Sequence, residues 1–477
     1  MERNSRFTLH SDGQFGCSYE VSRGNFDVQH AKLGGNLVDL GGFASFIHGG
    51  RRVVENWNMC YTINLYHQSR RSTAQMRSLT SIDLFAGAGG LSCGLEMAGF
   101  TPLFASDIHP IYCDTYQYNH PTTYVYRKDI RDLPAEEVAQ IANLAEGELD
   151  LLAGGPPCQG FSINAPIRTM EDQRNHLFLE FTRIAAYLMP KFILIENVPG
   201  IVSMDNGGVV AAILRELHLL GYKVGYRILY AAHYGVPQIR FRTVFLATRE
   251  DIAVEFPQPT HNAKSRPNFT GGRELTMHVL PLFALDLKPH TTVWDALSDL
   301  PLIEPGKFDQ EMEYSSKPQN EFQALMRMQH QASTIFNHHA GKLSEINLQR
   351  LTYIPQGGSW RDIPYDLLPA GMKRARRSDH TKRYGRLDPK GLCSTVLTKC
   401  DPHWGSFFHP VQDRVLSVRE AARMQSFPDR YVFTGKLVHQ YEQVGNAVPP
   451  LLAKAIGEVI MQRLIATKEV NYATSSR

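Results

Sequence analysis

From Leu79 to Arg249 the chain alternates short apolar runs with amphipathic stretches, and that rhythm leaves few folds open to it. Strands are predicted over Leu79–Phe85, Leu103–Ser106, Leu149–Ala153, Phe192–Glu196, Val224–Ala232 and Thr243–Thr248. Helical periodicity falls between them, at Leu91–Ala98, Ile111–Asn119, Leu177–Leu188 and Val209–Leu219, the last stopped by Gly221. Strands that alternate with helices build an α/β fold, here a doubly wound sheet that is parallel in the main. Such sheets bind ligands in the crevice beyond the carboxyl ends of their strands.

The texture changes after Phe256. Residues 257–411 are rich in Pro, Gly, His and Gln and carry little periodicity, which predicts a second, loop-rich domain. Helical patterning returns at Ser417–Gln425 and at Pro450–Ile465. The expected organisation is therefore a sheet domain over 77–256, an insertion over 257–411, a supporting segment over 412–435, a return to the sheet domain over 436–466 and a tail over 467–477. Residues 1–76 contain three Gly-Gly pairs and the basic pairs Arg51-Arg52 and Arg70-Arg71 without a convincing helical period. An extension that is poorly ordered or weakly packed is expected there, with a DNA-binding arm as the alternative.

Composition removes several classes of function. In 477 residues, 43% hydrophobic and 20% charged content describes an ordinary globular protein, and a net charge of +3 neither requires nor excludes a nucleic acid. The seven cysteines (Cys17, Cys60, Cys93, Cys113, Cys158, Cys393 and Cys400) are odd in number and form no Cys-x-x-Cys pair. A disulfide framework and a zinc site are both disfavoured, so no metal is expected and the compartment is expected to be reducing. The chain has no secretory-type start and no evident membrane-length apolar stretch. A cytoplasmic enzyme fits these features.

The chemistry-bearing residues lie where the strands end. Cys158 sits in Gly154-Gly155-Pro156-Pro157-Cys158-Gln159-Gly160-Phe161-Ser162, a loop stiffened by proline and freed by glycine. By itself that loop is as compatible with a small buried hydrophobe as with a presented thiol. Glu196 ends another buried strand in Phe192-Ile193-Leu194-Ile195-Glu196-Asn197, and a thiol beside an acid in one crevice makes a nucleophilic site. Asp83 to Gly90 forms a glycine-rich strand-to-helix turn, open to reading as a ligand cradle or a plain tight turn; Ser92 stands where a dinucleotide fingerprint needs glycine. Asp107 ends the second strand, where it could reach a ribose or simply face solvent. Alternation puts Gln238, Arg240 and Arg242 on one face, which could equally be a salt-bridge stripe. Lys373, Arg374, Arg376, Arg377, Lys382, Arg383 and Arg386 fall within fourteen residues, opposed only by Asp379. A run of that kind is a solvated face or a phosphate clamp.

In this order, from Ser78 to Ala466, the motifs resemble those of the DNA cytosine-5 methyltransferases, and the short architecture suggests a prokaryotic modification enzyme. The resemblance implies a Rossmann-like fold that uses S-adenosyl-L-methionine. Phe85, Ala86, Gly87, Gly89 and Gly90 would line the cofactor, Asp107 would bind its ribose and Ile108 would pack on its adenine. Asp129-Ile130 resembles the pair at the adenine edge, although Lys128 replaces the usual preceding glycine. Pro156, Leu177, Asn446 and Val448 would complete the pocket, the last two within Gln443-Val444-Gly445-Asn446-Ala447-Val448-Pro449-Pro450.

Catalysis in that family implies Cys158 as the nucleophile at cytosine carbon 6. Glu196 would hydrogen-bond nitrogen 3 from an apolar pocket, where desolvation lets a carboxyl keep a proton. Arg242 would hold oxygen 2, and Arg240 would support the loop and the phosphate backbone. Because the ring is hidden inside a duplex, the base must be swung out. Gln238, Lys373, Arg374, Arg376, Arg377 and Thr395 are the expected DNA contacts, and residues 414–428 resemble the helix that supports the target-recognition region. The substrate implied is double-stranded DNA, acted on by a monomer, with a restriction endonuclease of the same site as a companion outside any stable complex. One branch of the same family acts on transfer RNA, but with a much smaller insertion than the roughly 170 residues between Arg242 and Ser417. A DNA-binding regulator without activity is disfavoured by the intact Cys158, Glu196, Arg240 and Arg242.

Overall fold

The structure, a computed structural model, describes residues 78–157, 176–264, 286–308, 312–328, 330 and 334–475, together with four strands near the start of the chain. It divides into two compact units, Met1–Arg77 and Ser78–Arg477. In the first, β1 (Arg6–His10) pairs antiparallel with β2 (Gly16–Glu20), and β3 (His30–Leu33) with β4 (Asn36–Asp39). The remaining residues of that extension lie outside the described residues.

The second unit is built on a seven-stranded sheet. Its strands are β5 (Leu79–Leu84), β6 (Phe100–Ser106), β7 (Tyr124–Tyr126), β8 (Leu151–Gly154), β9 (Phe192–Asn197), β10 (Lys223–Tyr230) and β11 (Phe241–Thr248), in the order β10-β11-β9-β8-β5-β6-β7. Only β11 runs against its neighbours. The order reverses between β5 and β8, so the chain leaves these two strands in opposite directions and opens a crevice beyond their carboxyl ends.

The helices are α1 (Gly90–Met97), α2 (Pro110–Asn119), α3 (Ala135–Ala142), α4 (His176–Leu188) and α5 (Gly208–Leu219). Pro110 suits the first turn of α2, where its missing N–H is no loss. Strand residues sort by parity onto two faces, as the pleat requires. Leu151, Ala153, Phe192 and Leu194 enter one core with residues of α1, while Leu152, Ile193 and Ile195 enter the other with residues of α3, α4 and α5.

The insertion has only short elements among its described residues. They include α6 (Val293–Leu297), α7 (Glu321–Arg327), α8 (Glu345–Leu351) and α9 (Ala370–Lys373). Ile303, Leu351, Ile354, Trp360, Ile363, Met372 and Phe408 form a small core there. Val293, Leu297, Phe322, Cys393 and Phe407 instead join the core on the α1 face of the sheet, so packing is continuous past residue 257.

The chain closes with α10 (Val418–Met424), α11 (Leu437–Asn446) and α12 (Pro450–Ser475). Every residue of α10 is buried, and its start is fixed by a reciprocal capping box between Ser417 and Glu420. Helix α12 lies against α1, and two glycines permit the approach. A Cβ on Gly94 would stand 2.2 Å from the Pro450 carbonyl oxygen, and one on Gly457 2.8 Å from the Ala98 Cβ. Contrary to the expectation from sequence, Leu437–Thr467 is long and apolar enough to cross a membrane. Its apolar window is 67% buried inside the protein, which accounts for that composition by core packing.

Candidate active site

The crevice beyond β5, β6, β8 and β9 brings together the glycine turn after β5, Asp107 after β6, the start of the Cys158 loop after β8 and Glu196 in β9. Strand β8 ends at Gly154, where a Cβ would lie 2.4 Å from the Leu84 carbonyl oxygen, so only glycine lets β8 and β5 finish side by side. At Gly155 a Cβ would stand 3.3 Å from Glu196 Oε2. The Glu196 carboxylate therefore lies over the root of the loop that leads to Cys158. The Asn197 amide donates to the Pro156 carbonyl at 3.0 Å and ties the end of β9 to the same loop. Cys158 itself falls within 158–175, outside the described residues.

Glu196 is not in the apolar pocket expected for it. Arg242, at the start of β11, sets its Nε against Glu196 Oε1, and the two side chains are only 12% and 13% exposed. The Arg242 guanidinium is steadied by a bond of 2.8 Å from Nη1 to the Phe241 carbonyl. Glu196 is therefore a strand-end carboxylate paired with an arginine.

Gln238 and Arg240 are both buried and spend their side chains on bonds within the protein. Gln238 is fully buried: its amide nitrogen donates to the Met424 carbonyl and to Gln425 Oε1, both at 2.9 Å, while its oxygen accepts the Val396 N–H at 2.9 Å. Arg240 is 2% exposed, and its guanidinium bonds the carbonyls of Val396 at 3.1 Å, Gly445 at 2.9 Å and Ala447 at 3.0 Å. Burial, with Arg242 nearby as the second cause, presses Arg240 well below the ordinary arginine range. The reason for this burial is local pairing: Ile239 N–H bonds the Cys393 carbonyl and Cys393 N–H bonds the Pro237 carbonyl, so this edge is consumed by the insertion. Thr395 is half-buried and gives its hydroxyl to the Ile239 carbonyl at 2.6 Å.

The turn after β5 has the features of a ligand cradle. Phe85 takes φ 60° and Gly87 φ 55°, and the space where a Gly87 Cβ would point is open. Gly87 N–H donates to Asp107 Oδ2 and His109 N–H to Asp107 Oδ1, both at 2.8 Å. Burial raises the Asp107 carboxyl above its usual range, although these backbone donors act against the rise. Ile108 is 55% exposed beside it, as a platform for an apolar ring would be. Gly89 and Gly90 serve packing rather than open space, since their Cβ atoms would meet Tyr431 Oη and the Val448 carbonyl oxygen, each at 2.5 Å.

The other pocket candidates are mixed. Asp129 spends its carboxylate on its own turn, accepting Arg131 N–H at 2.9 Å and Arg131 Nη2–H at 2.6 Å, and that partner lowers its pKa. Ile130 is buried in the core, and Pro156 is buried as well. Leu177 is half-buried at the start of α4. Asn446 is exposed at the end of α11 and bonds Tyr112 of α2, while Val448 packs beside Gly90. These residues fit S-adenosyl-L-methionine in one respect above all: a glycine turn with an open face adjoins a fixed carboxylate and an exposed aliphatic side chain.

Lys373, Arg374, Arg376 and Arg377 lie apart from the crevice residues in sequence and are all exposed. Lys373 Nζ stands 5.2 Å from the Tyr365 ring centroid, and Arg377 Nη2 donates to the Arg361 carbonyl at 3.0 Å. None of the four side chains pairs with a carboxylate among the described residues. Sequence reading passed over Tyr431, whose hydroxyl meets the glycine turn, because an isolated tyrosine carries no spacing signal. The described thiols are poor nucleophiles: Cys93, Cys113 and Cys393 are buried, and burial pushes each up to about 12. Cys400 is raised further by the same cause. Among the described residues no cluster could hold a metal ion.

Residues 79–462 match the C-5 cytosine-specific DNA methylase family. Type II methyltransferase M1.HphI of Haemophilus parahaemolyticus is 36% identical over 81% of this chain and 87% of its own length. Type II methyltransferase M.AgeI of Thalassovita gelatinovora is 34% identical over 80% of this chain and 99% of its own. A crystallised prophage-encoded protein of E. coli, assigned as a DNA modification methyltransferase, superposes with a TM-score of 0.61 at 27% identity, covering 82% of this chain and 100% of its own. With a family match across most of its length, the chain belongs to the C-5 cytosine-specific DNA methylases, enzymes that use S-adenosyl-L-methionine.

Proposed function

We propose that this chain is the modification enzyme of a restriction-modification system, methylating carbon 5 of a cytosine swung out of duplex DNA by way of a covalent bond to Cys158. The observation that carries this reading is the Glu196–Arg242 pair over the root of the Cys158 loop. Nitrogen 3 and oxygen 2 are neighbours on one edge of cytosine, and a carboxyl beside a guanidinium matches that edge.

Cytosine carbon 5 is too weak a nucleophile to take a methyl group unaided. Addition of the Cys158 thiolate to carbon 6 pushes an electron pair toward nitrogen 3 and oxygen 2, where a hydrogen bond donated by the protonated Glu196 carboxyl to nitrogen 3 and one donated by the Arg242 guanidinium to oxygen 2 stabilise it. The pair then returns through carbon 5 to form the new carbon–carbon bond. Loss of the carbon 5 proton to a base expels the thiolate and restores the aromatic ring. The cofactor, when bound, would supply an electrophilic methyl group on a sulfonium, whose methyl–sulfur bond would break as the carbon–carbon bond forms, leaving the electron pair on a neutral thioether. Asp107 and the turn from Phe85 to Gly87 hold and orient it.

The site that grips one extruded base sees one nucleotide, so flanking pairs must be read elsewhere. Residues 257–411 take that role in this reading, with Lys373, Arg374, Arg376 and Arg377 on phosphates. A companion endonuclease of the same site is part of this proposal.

The test is a duplex carrying 5-fluorocytosine at the target, found first by bisulfite sequencing of DNA from expressing cells. Fluorine blocks the final elimination, so the wild-type chain becomes trapped at Cys158. Cys158→Ser should bind cofactor normally, form no adduct and transfer no methyl group. An adduct mapped to any other cysteine, or methyl transfer to RNA alone, overturns the proposal.

A further inference from the structure

The turn that faces the cofactor rests on a buried polar layer that the chemistry above does not use. Tyr431, from the segment after α10, is fully buried and donates its hydroxyl to the Ala88 carbonyl at 2.5 Å. Its ring packs on Phe427 and Phe433, with centroids 4.8 and 5.6 Å away. His120 Nε2 lies 3.1 Å from the same hydroxyl oxygen, and His120 Nδ1 lies 2.8 Å from Glu96 Oε1. On the adjoining side the Tyr116 hydroxyl donates to Ser92 Oγ at 2.7 Å, and Ser92 donates to Asp83 Oδ2 at 2.6 Å. Gly89 separates these groups from the open face, because any side chain there would collide with Tyr431 and Tyr116.

Tyr431 belongs to a strap stitched on both edges. Val432 exchanges hydrogen bonds with the Asn119 side chain at 2.9 and 2.8 Å, and Thr434 N–H bonds Thr115 Oγ1 at 2.9 Å, so one edge is held by α2. Phe433 exchanges a similar pair with Asn337 of the insertion at 2.9 and 2.8 Å. A tyrosine that only filled space would need its ring and no aimed hydroxyl. Here the hydroxyl ends on a backbone carbonyl inside the turn, in a place where an unpaired carbonyl has no water to turn to.

We infer that Tyr431 is a positioning residue for the cofactor turn: its hydroxyl fixes the Ala88 carbonyl and so sets the conformation of Phe85 to Gly89 that receives the methyl donor. This rests on the reading of that turn as the cofactor cradle. Burial raises the Tyr431 hydroxyl well above the ordinary tyrosine range.

The test uses the full-length chain with Tyr431→Phe, which keeps the ring and deletes the donor. Affinity for S-adenosyl-L-methionine, measured by calorimetry without DNA, should fall about three- to tenfold, the loss of one buried hydrogen bond. The KM for duplex should stay put, and kcat at saturating cofactor should change by less than the affinity does. Asn119→Ala, which loosens the strap without touching the turn, should shift cofactor affinity the same way by less, and it carries the test if Tyr431→Phe does not fold. Asp107→Ala is the control for the cradle. Weakened cofactor binding in Asp107→Ala with none in the two strap variants overturns the inference. An undisturbed affinity in all three overturns the placement of the cofactor, and the inference with it. Lower thermal stability with no change in cofactor affinity counts as a purely structural role and likewise overturns it.

Discussion

Arg242 and Glu196 face each other across two neighbouring antiparallel strands, Nε against Oε1, with both side chains nearly buried. In the proposed reaction this pairing would hold a carboxyl and a guanidinium side by side at the root of the loop that leads to Cys158. Glu196→Gln should lower kcat by about two to four orders of magnitude, the range expected for a positioned proton donor or acceptor. Arg242→Lys should also be poorly active, because an ammonium cannot reproduce a planar fork. Single-turnover methylation with saturating cofactor measures both, and near-wild-type rates would remove this pair from the chemistry.

Arg240 should report on folding and hardly at all on DNA. Arg240→Met removes the donor to the carbonyls of Val396, Gly445 and Ala447, of which Ala447 keeps a long bond of 3.4 Å from Gln425 Nε2, and each carbonyl left without a partner costs on the order of 1–3 kcal/mol. Its melting temperature should fall, while the slope of log affinity for duplex against log salt stays unchanged. A flatter slope would mean that Arg240 reaches phosphate after all.

The exposed cluster should behave in the opposite way. Replacing Lys373, Arg374, Arg376 and Arg377 with glutamine should weaken binding to every sequence and reduce the salt slope by up to about 0.9 for each phosphate that is no longer neutralised. Thermal stability should change little, since all four residues are exposed. Titrations at several salt concentrations, with target and non-target duplexes, separate this outcome from a specific loss of one sequence.

Asp83 gives the stability a pH dependence of unusual sign. It is 1% exposed at the end of β5, and burial raises it to about 7 despite the hydrogen bond from Ser92. Between about pH 4 and 7 the folded chain therefore holds a proton that the unfolded chain has released. This residue's contribution is most favourable at the acid end of that window and is lost as pH rises through it. Asp83→Asn mimics the protonated acid. It should cancel the downward slope in a comparison of urea midpoints, and the variant should gain on wild type toward pH 8. A difference between the two chains that is flat with pH would show that Asp83 is ionised throughout.

Much of the sheet was legible because strands buried on both faces must be short apolar runs. Five of the predicted strands lie within two residues of β5, β8, β9, β10 and β11 at both ends. Strand β6 begins three residues earlier than predicted, at Phe100. Strand β7 was missed because its three residues, Tyr124–Tyr126, are too few to display a period, and α11 because Leu437–Asn446 is mostly polar. The glycine turn, Asp107 and Glu196 were readable for another reason: each ends a strand, and strand ends in such a sheet converge on one crevice.

What the chain alone could not decide was the direction of each side chain in the Gln238–Arg242 run. Alternation puts Gln238, Arg240 and Arg242 on a common face, and all three remain candidates for DNA or base contacts at that level. The fold then divides them. Residues 393–396 and 445–447, distant in sequence, close over Gln238 and Arg240 and take up their hydrogen bonds, whereas Arg242 stands beside the carboxylate that ends β9. Local pattern determines which residues can reach a surface, because it follows from backbone geometry. Which surface is left open depends on the segments that pack against it, and those are brought there only by the tertiary fold.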